Sequence, residues 1–189
     1  MGFKKAVIRS VVIVVILALS VAFGFGYQRI WREIDLKNHP RQYSDTVSEY
    51  ARDFGVPEYV IYAVIKTESE FQSNLLSDDG AIGLMQITPE RFSRLLTMTK
   101  ESLDKGILYD PDTNIEYGTY YLSYLYTKYS RWDTVFAAYA SDEDTVELWR
   151  ENPEYGDENK NLKKIPDEAV RQYVEAVNNA IEVYKKLYY

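Results

Sequence analysis

The sequence contains no cysteine and a single histidine, His39. The lack of cysteine excludes a disulfide framework, a thiolate metal site, a cysteine nucleophile and a lipid-modified cysteine. One histidine cannot form a multi-histidine metal site or a histidine-based catalytic triad within one chain. No metal site is therefore predicted, and acid/base chemistry falls to carboxylate, tyrosine or lysine side chains. Among hydrolytic reactions, this restriction favours cleavage of glycosidic bonds, which carboxylates perform.

Basic residues are fewer than acidic ones, 22 against 29, and the formal net charge is −7. Nucleic-acid binding normally requires a basic patch, so this balance argues against a nucleic-acid partner. It leaves open a neutral or mixed-charge polymer as substrate. Hydrophobic residues make up 46% of the chain and aromatic residues 15%, which is typical of a globular protein rather than a disordered one.

Residues 10–27 carry no charged side chain and are long enough to span a bilayer as a helix. The basic residues within 1–9 predict that this short tail stays in the cytoplasm and that the rest of the chain lies outside. A cleaved signal peptide is the alternative, with Ser20-Val21-Ala22 as an acceptable cleavage site. We favour an uncleaved anchor because the apolar run continues past that site. Residues 28–43 are mixed and polar and predict a stalk, which contains His39.

From residue 44 onward the apolar residues recur at helical spacing, and no segment alternates as a strand would. One predicted helix is apolar on most sides, which indicates a central position in the fold, and it runs towards Glu68. Residues 73–83 are rich in Ser, Asn, Asp and Gly and predict a loop. The predicted helix starts share a capping residue or a proline: Ser44, Pro57, Thr88-Pro89, Asp110-Pro111, Asp133 and Pro166.

The central helix ends in a carboxylate, Glu68, followed at once by Ser69. Burial raises the proton affinity of such a group, and the negative end of the helix acts in the same direction. A glutamic acid that is protonated at neutral pH can protonate a leaving glycosidic oxygen. After the loop comes Gly83-Leu84-Met85-Gln86, where glycine permits close approach to a ligand and Gln86 offers both a donor and an acceptor.

Together these residues resemble the catalytic domain of lytic transglycosylases of the soluble type, which is related in fold to goose-type lysozymes. In that family a Glu-Ser pair ends a central helix, and a Gly-Leu-Met-Gln motif follows a loop of this length. Both motifs are intact here. Further matches follow in order along residues 44–188: Asp110-Pro111, Asn114-Ile115, Gly118, Tyr121-Leu122, Ala137-Ala138-Tyr139, Ile165-Pro166, Arg171 and Tyr173-Val174.

The resemblance implies an all-α, lysozyme-like catalytic domain over residues 44–189, preceded by a single transmembrane helix. The implied reaction cleaves the β-1,4 bond between N-acetylmuramic acid and N-acetylglucosamine of peptidoglycan and leaves 1,6-anhydromuramic ends. It needs no metal or organic cofactor. Glu68 is the implied catalytic acid and base. The implied substrate-binding residues are Ser69, Gly83, Met85, Gln86, Tyr139 and Tyr173.

Two departures from the family pattern bear on the site. After Ala-Ala-Tyr the family continues with Asn-Ala-Gly, whereas this chain has Ala140-Ser141-Asp142-Glu143-Asp144. The substrate-touching asparagine and the flexible glycines are therefore missing, and we expect a more acidic groove. After Ile165-Pro166 the usual Phe and Glu are replaced by Asp167 and Ala169. Altered substrate affinity or turnover is the expected consequence.

Three other interpretations stay open on the sequence alone. A lysozyme-type hydrolase on the same fold would need a base carboxylate, for which Asp78, Asp79 and Asp142 are candidates. A weakly active or non-catalytic wall-binding module would fit the altered 140–144 segment. A membrane anchor for another envelope protein would use only the N-terminal helix.

Overall fold

A computed structural model of the chain describes residues 19–20, 22–24 and 26–189. The chain divides into two units, one up to Pro40 and one from Arg41 to Tyr189. In the first unit, residues 26–38 are helical, so most of the predicted stalk is helix. The predicted span of residues 10–27 lies largely outside the described residues and stays a prediction. Within the described ranges, the helices are either too short or too polar to cross a bilayer.

The second unit is built from helices, as the sequence predicts. In chain order they are α1 (Ser44–Phe54), α2 (Glu58–Ser69), α3 (Pro89–Thr99), a 3-10 helix (Lys105–Tyr109), α4 (Pro111–Tyr129), α5 (Trp132–Ala140), α6 (Glu143–Glu151) and α7 (Glu168–Tyr188). The backbone pairs outside the helices only at isolated bridges, such as that between Ile82 and Ile87. The helix α6 is not predicted from the sequence, and it begins within the altered 140–144 segment.

The central helix of the fold is α2, as its all-round apolar sequence predicts. Every residue from Val60 to Ile65 is buried. Its main neighbour is α7, and α5 packs on α7 in turn. Apolar residues on α7, such as Val174 and Tyr184, complete the core between these helices. This packing fixes the carboxyl end of α2, where Glu68 lies.

The helix ends agree with the sequence where glycine or a Thr-Pro or Asp-Pro pair marks them. Gly55 ends α1 in the left-handed conformation, with φ 67°. Thr88 caps α3 by accepting from the Arg91 amide, and Asp110 caps α4 by accepting from the Thr113 amide.

Four predicted helix starts are wrong in position. Tyr43 rather than Ser44 is the N-cap of α1, and Pro57 is the N-cap of α2 rather than a residue of its first turn. Asp133 lies inside α5 and accepts a hydrogen bond from Asn178 instead of capping. Asp167, not Pro166, caps α7 by accepting from the Val170 amide. For Asp133 the cause is a tertiary contact, because its carboxylate binds Asn178 on α7 instead of a backbone amide of its own helix.

Candidate functional site

Glu68 lies in the last turn of α2, where the buried helix reaches the surface of the domain. The chain turns away directly afterwards, because Glu70 and Phe71 adopt left-handed backbone conformations with φ 50° and 67°. Tyr173 approaches from α7, and its hydroxyl donates a hydrogen bond of 2.6 Å to Glu68 Oε1. The contact between α2 and α7 therefore brings together two residues separated by more than half of the chain.

Burial raises the pKa of Glu68 to about 7. The hydrogen bond from Tyr173 and the positive charge of Arg91 lower this pKa, while the negative charge of Asp79 raises it. Burial has the largest effect, in agreement with the prediction from the sequence. At neutral pH the carboxyl group is thus divided between its protonated and ionised forms, which suits a group that must first give and then take a proton.

A cavity of about 380 Å³ opens beside this carboxyl group. We call it the Glu68 cavity. Four residues predicted from the sequence line it, namely Glu68, Gln86, Tyr139 and Tyr173. Ala169, one of the two departures after Ile165-Pro166, lines it as well, so the small side chain stands at the wall of the site.

Tyr139 and Tyr173 both remain protonated over the physiological range, since burial raises the pKa of each hydroxyl above its usual value. The nearby Glu68 charge acts in the same direction on both. The Tyr139 hydroxyl donates 2.7 Å to the Met85 carbonyl, which ties α5 to the loop that carries Gln86. Tyr173 is therefore a donor to the carboxyl group, and Tyr139 is a donor to the wall of the cavity.

The predicted residues Ser69, Gly83 and Met85 lie behind the cavity wall, where all three are buried. The Ser69 hydroxyl donates 2.7 Å to the Leu84 carbonyl. Met85 packs on α4 so closely that a Cβ at Gly118 would lie 2.3 Å from its sulfur. The structure thus separates the seven predicted site residues into four that face the cavity and three that hold its wall from behind.

Asn114 holds the loop that carries Gln86. Its carboxamide oxygen accepts a hydrogen bond of 2.7 Å from the Met85 amide. Its amino group donates hydrogen bonds to the carbonyls of Ile82 (2.9 Å) and Leu108 (2.8 Å). Gly83, with φ 79°, lies against this side chain, and a Cβ there would stand 2.3 Å from the Asn114 Nδ2. Glycine at this position therefore serves the contact with Asn114 as well as the turn. Sequence reasoning matched Asn114 to a family motif but assigned it no role.

Gln86 also adopts a left-handed conformation, with φ 48°. Its side-chain amino group donates 2.8 Å to the Gly83 carbonyl, which fixes the plane of the amide. The carboxamide oxygen remains available as an acceptor in the Glu68 cavity. A fixed amide of this kind suits recognition of sugar hydroxyl or acetamido groups.

A second cavity of about 430 Å³ adjoins the first, and both are lined by Thr88, Arg91 and Ser141. The two together form a groove along α3 and the start of α6.

The sequence did not identify Arg91 as a residue of the site. It named Asp79 only as a candidate base for hydrolysis, and Asp79 lines the Glu68 cavity. No motif pointed to Arg91, because the nearest pattern, Thr88-Pro89, was read only as a helix start.

The altered 140–144 segment forms the start of α6 instead of a glycine-rich turn. Asp142 caps this helix by accepting 2.8 Å from the Thr145 amide. Glu143 is 4% exposed and pairs with Lys128 at 2.8 Å and with Arg94. The predicted acidic groove needs correction at this point, since the Glu143 charge is buried and compensated, which leaves Asp142 and Asp144 as the exposed acidic residues of the segment.

The described residues contain no cluster of three or more His, Cys, Asp or Glu side chains arranged to hold a metal ion.

Comparison of the chain with known proteins identifies a family that contains these motifs. The family described as transglycosylase SLT domain matches residues 45–162. The membrane-bound lytic murein transglycosylase C of Pectobacterium atrosepticum is 28% identical over 191 residues, which is 89% of this chain and 53% of that protein. The soluble lytic murein transglycosylase of Escherichia coli is 30% identical over 128 residues, covering 66% of this chain and 20% of that protein.

The crystal structure of the 70 kDa soluble lytic transglycosylase of Escherichia coli superposes with a TM-score of 0.74 at 28% identity, over 84% of this chain and 26% of that one. A structure of the 70 kDa soluble lytic transglycosylase in complex with bulgecin A superposes with the same TM-score of 0.74. This chain therefore spans about half the length of the Pectobacterium relative and about a quarter of the solved enzyme. The matched family covers most of the second unit and includes both the Glu68-Ser69 pair and the Gly83–Gln86 motif. The chain belongs to the transglycosylase SLT domain family.

Proposed function

We propose that the chain is a lytic transglycosylase that cleaves the β-1,4 bond between N-acetylmuramic acid and N-acetylglucosamine in peptidoglycan. One observation carries this proposal. A carboxyl group with a pKa of about 7 lines a cavity of about 380 Å³ and accepts a hydrogen bond from Tyr173. The relatives named as lytic murein transglycosylases support the same activity.

In the first step Glu68 gives its proton to the bridging oxygen, and the bond between that oxygen and the muramyl anomeric carbon breaks. Tyr173 occupies Oε1, so we assign the catalytic proton to Oε2. The acetamido group of the substrate can stabilise the positive charge that develops at the anomeric carbon, which removes the need for a second carboxylate.

In the second step the ionised Glu68 takes the proton of the muramyl C6 hydroxyl. That oxygen attacks the anomeric carbon of its own sugar and forms the 1,6-anhydro ring. Glu68 ends the cycle protonated, and no water is consumed. The attacking oxygen belongs to the same sugar, so its effective concentration exceeds that of a water molecule at the site. The hydrogen bond from Tyr173 stabilises the carboxylate between the two steps.

Gln86, Tyr139 and Tyr173 are proposed to contact or orient the glycan. Ser69, Gly83 and Met85 are proposed to act through the loop that they support. The membrane-bound relatives, together with the apolar run of residues 10–27, support a single-pass membrane anchor with the second unit on the extracytoplasmic side. The proposed domain order is a cytoplasmic tail over residues 1–9, the anchor, the segment 28–43 and the catalytic domain 44–189.

The products of peptidoglycan digestion test this function directly. The full chain is incubated with purified sacculi in heavy-oxygen water, and the soluble fragments are analysed by mass spectrometry. We expect muramyl ends in the anhydro form, without heavy oxygen, because the sugar supplies its own nucleophile. Fragments that carry heavy oxygen at reducing ends would show hydrolysis, and an absence of soluble fragments would end the enzymatic proposal.

A lysozyme-type hydrolase is the second candidate, and the position of Asp79 favours it. Its carboxylate lines the Glu68 cavity and accepts a hydrogen bond from Ser77, which lowers its pKa. Two carboxyl groups whose pKa values are displaced in opposite directions are suited to act as a general acid and a general base. In the same digestion, loss of heavy-oxygen ends in an Asp79→Asn variant would identify Asp79 as the base that activates water.

Replacing Tyr173 with phenylalanine is expected to shift the pH dependence of cleavage. The hydroxyl stabilises the ionised form of Glu68 and so lowers its pKa. Without it the pKa rises above about 7, and the carboxyl group keeps its proton to higher pH. The alkaline limb of kcat/KM, which reports loss of that proton from the free enzyme, therefore moves to higher pH in Tyr173→Phe.

The same series on Tyr126→Phe provides the control, since Tyr126 is 40% exposed on α4 and stacks on Trp132, away from the lining of the Glu68 cavity. That variant is expected to keep the wild-type profile. An alkaline limb that stays in place, or moves to lower pH, in Tyr173→Phe would contradict the assigned hydrogen bond.

A further inference from the structure

Arg91 stands where the two cavities of the groove meet. It lies in the first turn of α3 and lines both the Glu68 cavity and its neighbour. It is the cation among the residues that line the Glu68 cavity. A ligand that extends from the catalytic carboxyl group along the groove must therefore pass the guanidinium.

The guanidinium is held in a fixed orientation. Its central carbon lies 4.7 Å from the centre of the Tyr121 ring and 4.8 Å from that of the Tyr139 ring. One terminal nitrogen donates 2.8 Å to the Tyr139 carbonyl. Two aromatic contacts and one hydrogen bond limit the rotation of the side chain, so less entropy is lost when it binds a ligand.

The charge of Arg91 is not paired within the part of the chain that the structure describes. The positive charge of Arg91 lowers the pKa of three carboxyl groups, and each of these has another hydrogen-bond partner. Glu68 accepts from Tyr173, Asp79 from Ser77, and Asp142 from Thr145.

Arg94, one turn further along α3, shows the contrast. It pairs with the buried Glu143 and donates to the Tyr124 hydroxyl. Of the two arginines that line the second cavity, Arg91 is thus the one left to meet an anionic ligand.

We propose that Arg91 binds a carboxylate carried by the substituent of the muramyl residue next to the scissile bond. This inference rests on the proposed function and adds a specificity to it. The carboxylate has two chemical sources, the lactyl ether in strands without peptide stems or the stem peptide itself. A guanidinium offers two parallel N–H donors that match the two oxygens of a carboxylate.

The surrounding charges sharpen this recognition. Asp79 on one side and Asp142 on the other repel an anion that does not contact the guanidinium. A carboxylate is therefore attracted at the guanidinium and repelled on either side of it. Attraction at one position combined with repulsion beside it makes the binding specific.

Binding measurements on the full chain test the role of Arg91 without turnover. In a Glu68→Gln background, dissociation constants are measured by calorimetry for stem-free glycan strands, for the same strands with their carboxylates amidated, for stem-bearing strands and for chitin oligosaccharides. Adding Arg91→Gln is expected to weaken binding of a carboxylated strand roughly tenfold to a hundredfold. Binding of amidated strands and chitin is expected to stay within about twofold, because these ligands lack the carboxylate.

The comparison of stem-free with stem-bearing strands identifies the source of the carboxylate. Arg91→Lys keeps the charge and should recover part of the affinity for carboxylated strands alone. Arg52→Gln removes an exposed cation of α1 that pairs with Asp53, and it should leave all four dissociation constants unchanged.

If Arg91→Gln weakened the binding of all four ligands equally, the inference would be overturned. Arg91 would then act only by holding the Tyr139 carbonyl or by compensating the negative charge of Glu68. Unchanged preference for carboxylated strands would overturn it as well. Neither result touches the proposed function, which fails separately if the wild-type chain releases no anhydro ends from sacculi.

Discussion

Replacing Glu68 with glutamine is expected to lower the rate at which anhydromuramic ends are released from sacculi by roughly 10²- to 10⁴-fold. Glutamine keeps the size of the side chain but can neither give nor accept the catalytic proton. Both steps of the proposed reaction transfer a proton to or from Glu68, so the substitution slows both of them. The measurement is the initial rate at which soluble anhydro fragments are released at pH values from about 5 to 8. This range includes the Glu68 pKa of about 7.

The same variant should fold as well as the wild type, which separates loss of chemistry from loss of structure. Burial raises the pKa of Glu68 from 4.5 to about 7, so the folded state holds a proton that the unfolded state releases. The stability that this proton contributes is full below pH 4.5 and is lost as pH rises through about 7. Glutamine carries no charge at any pH, and above pH 7 the free energy of unfolding of Glu68→Gln should equal or exceed that of the wild type.

Glu70→Gln is the matched control. Glu70 lies two residues away, its side chain is 73% exposed and it pairs with Lys66 at 3.8 Å on the solvent side. We expect it to release anhydro ends at the wild-type rate. A Glu68→Gln variant that also retains the wild-type rate would remove the catalytic assignment of Glu68, whatever the products are.

The position of Glu68 could be predicted because one local pattern determines it. A helix that is apolar on all sides must be buried, and a carboxylate at its end must lie where the core meets solvent. The same reasoning predicted the raised pKa, since burial is the dominant cause. The partner Tyr173 could not be found this way, because its own spacing on α7 is that of an ordinary core tyrosine and only the family motif identified it.

The role of Arg91 could not be predicted from the sequence, because its position in the groove depends on tertiary contacts. Its side chain is directed by the rings of Tyr121 on α4 and Tyr139 on α5. Nothing in the residues around it indicates these contacts. The helix α6 was missed for a related reason. Its first turn depends on Glu143, whose burial is made acceptable by Lys128 and Arg94 from two other helices.

The roles of Ser69, Gly83 and Met85 show the opposite case, in which a motif identifies residues but not their function. Sequence matching cannot distinguish a side chain that touches the ligand from one that supports the residue that does. The structure makes this distinction through the buried contacts between Met85 and Gly118 and between Gly83 and Asn114. These residues determine the shape of the loop, and the positions of the polar groups in the cavity depend on that shape.

Replacing Asn114 with alanine is expected to lower the free energy of unfolding by about 3 kcal/mol or more, since buried polar groups lose their partners. Asn114 is fully buried, and its three hydrogen bonds satisfy the Met85 amide and the carbonyls of Ile82 and Leu108. Alanine also leaves a space beside Gly83. Chemical denaturation followed by circular dichroism measures the change.

Asn178→Ala is the matched control, because its amide makes a hydrogen bond of 2.8 Å to Asp133 on the exposed side of α7. Loss of an exposed hydrogen bond should change stability by no more than about 1 kcal/mol. If the two variants lose the same stability, the buried network of Asn114 does not hold the fold in the way described.

Asn114→Asp tests whether residue 114 must donate hydrogen bonds to the carbonyls of Ile82 and Leu108. One oxygen of the new carboxyl group still accepts from the Met85 amide, but the other faces two carbonyl oxygens where the amino group donated. An ionised carboxylate is repelled there, so its pKa in the folded state must be raised. The stability deficit of Asn114→Asp should therefore shrink as pH falls and the carboxyl group gains a proton that it can donate. A deficit independent of pH would mean that Asn114 fills space in the core but does not hold the Met85–Gln86 loop by hydrogen bonds, and Gln86 would then owe its position in the groove to packing alone.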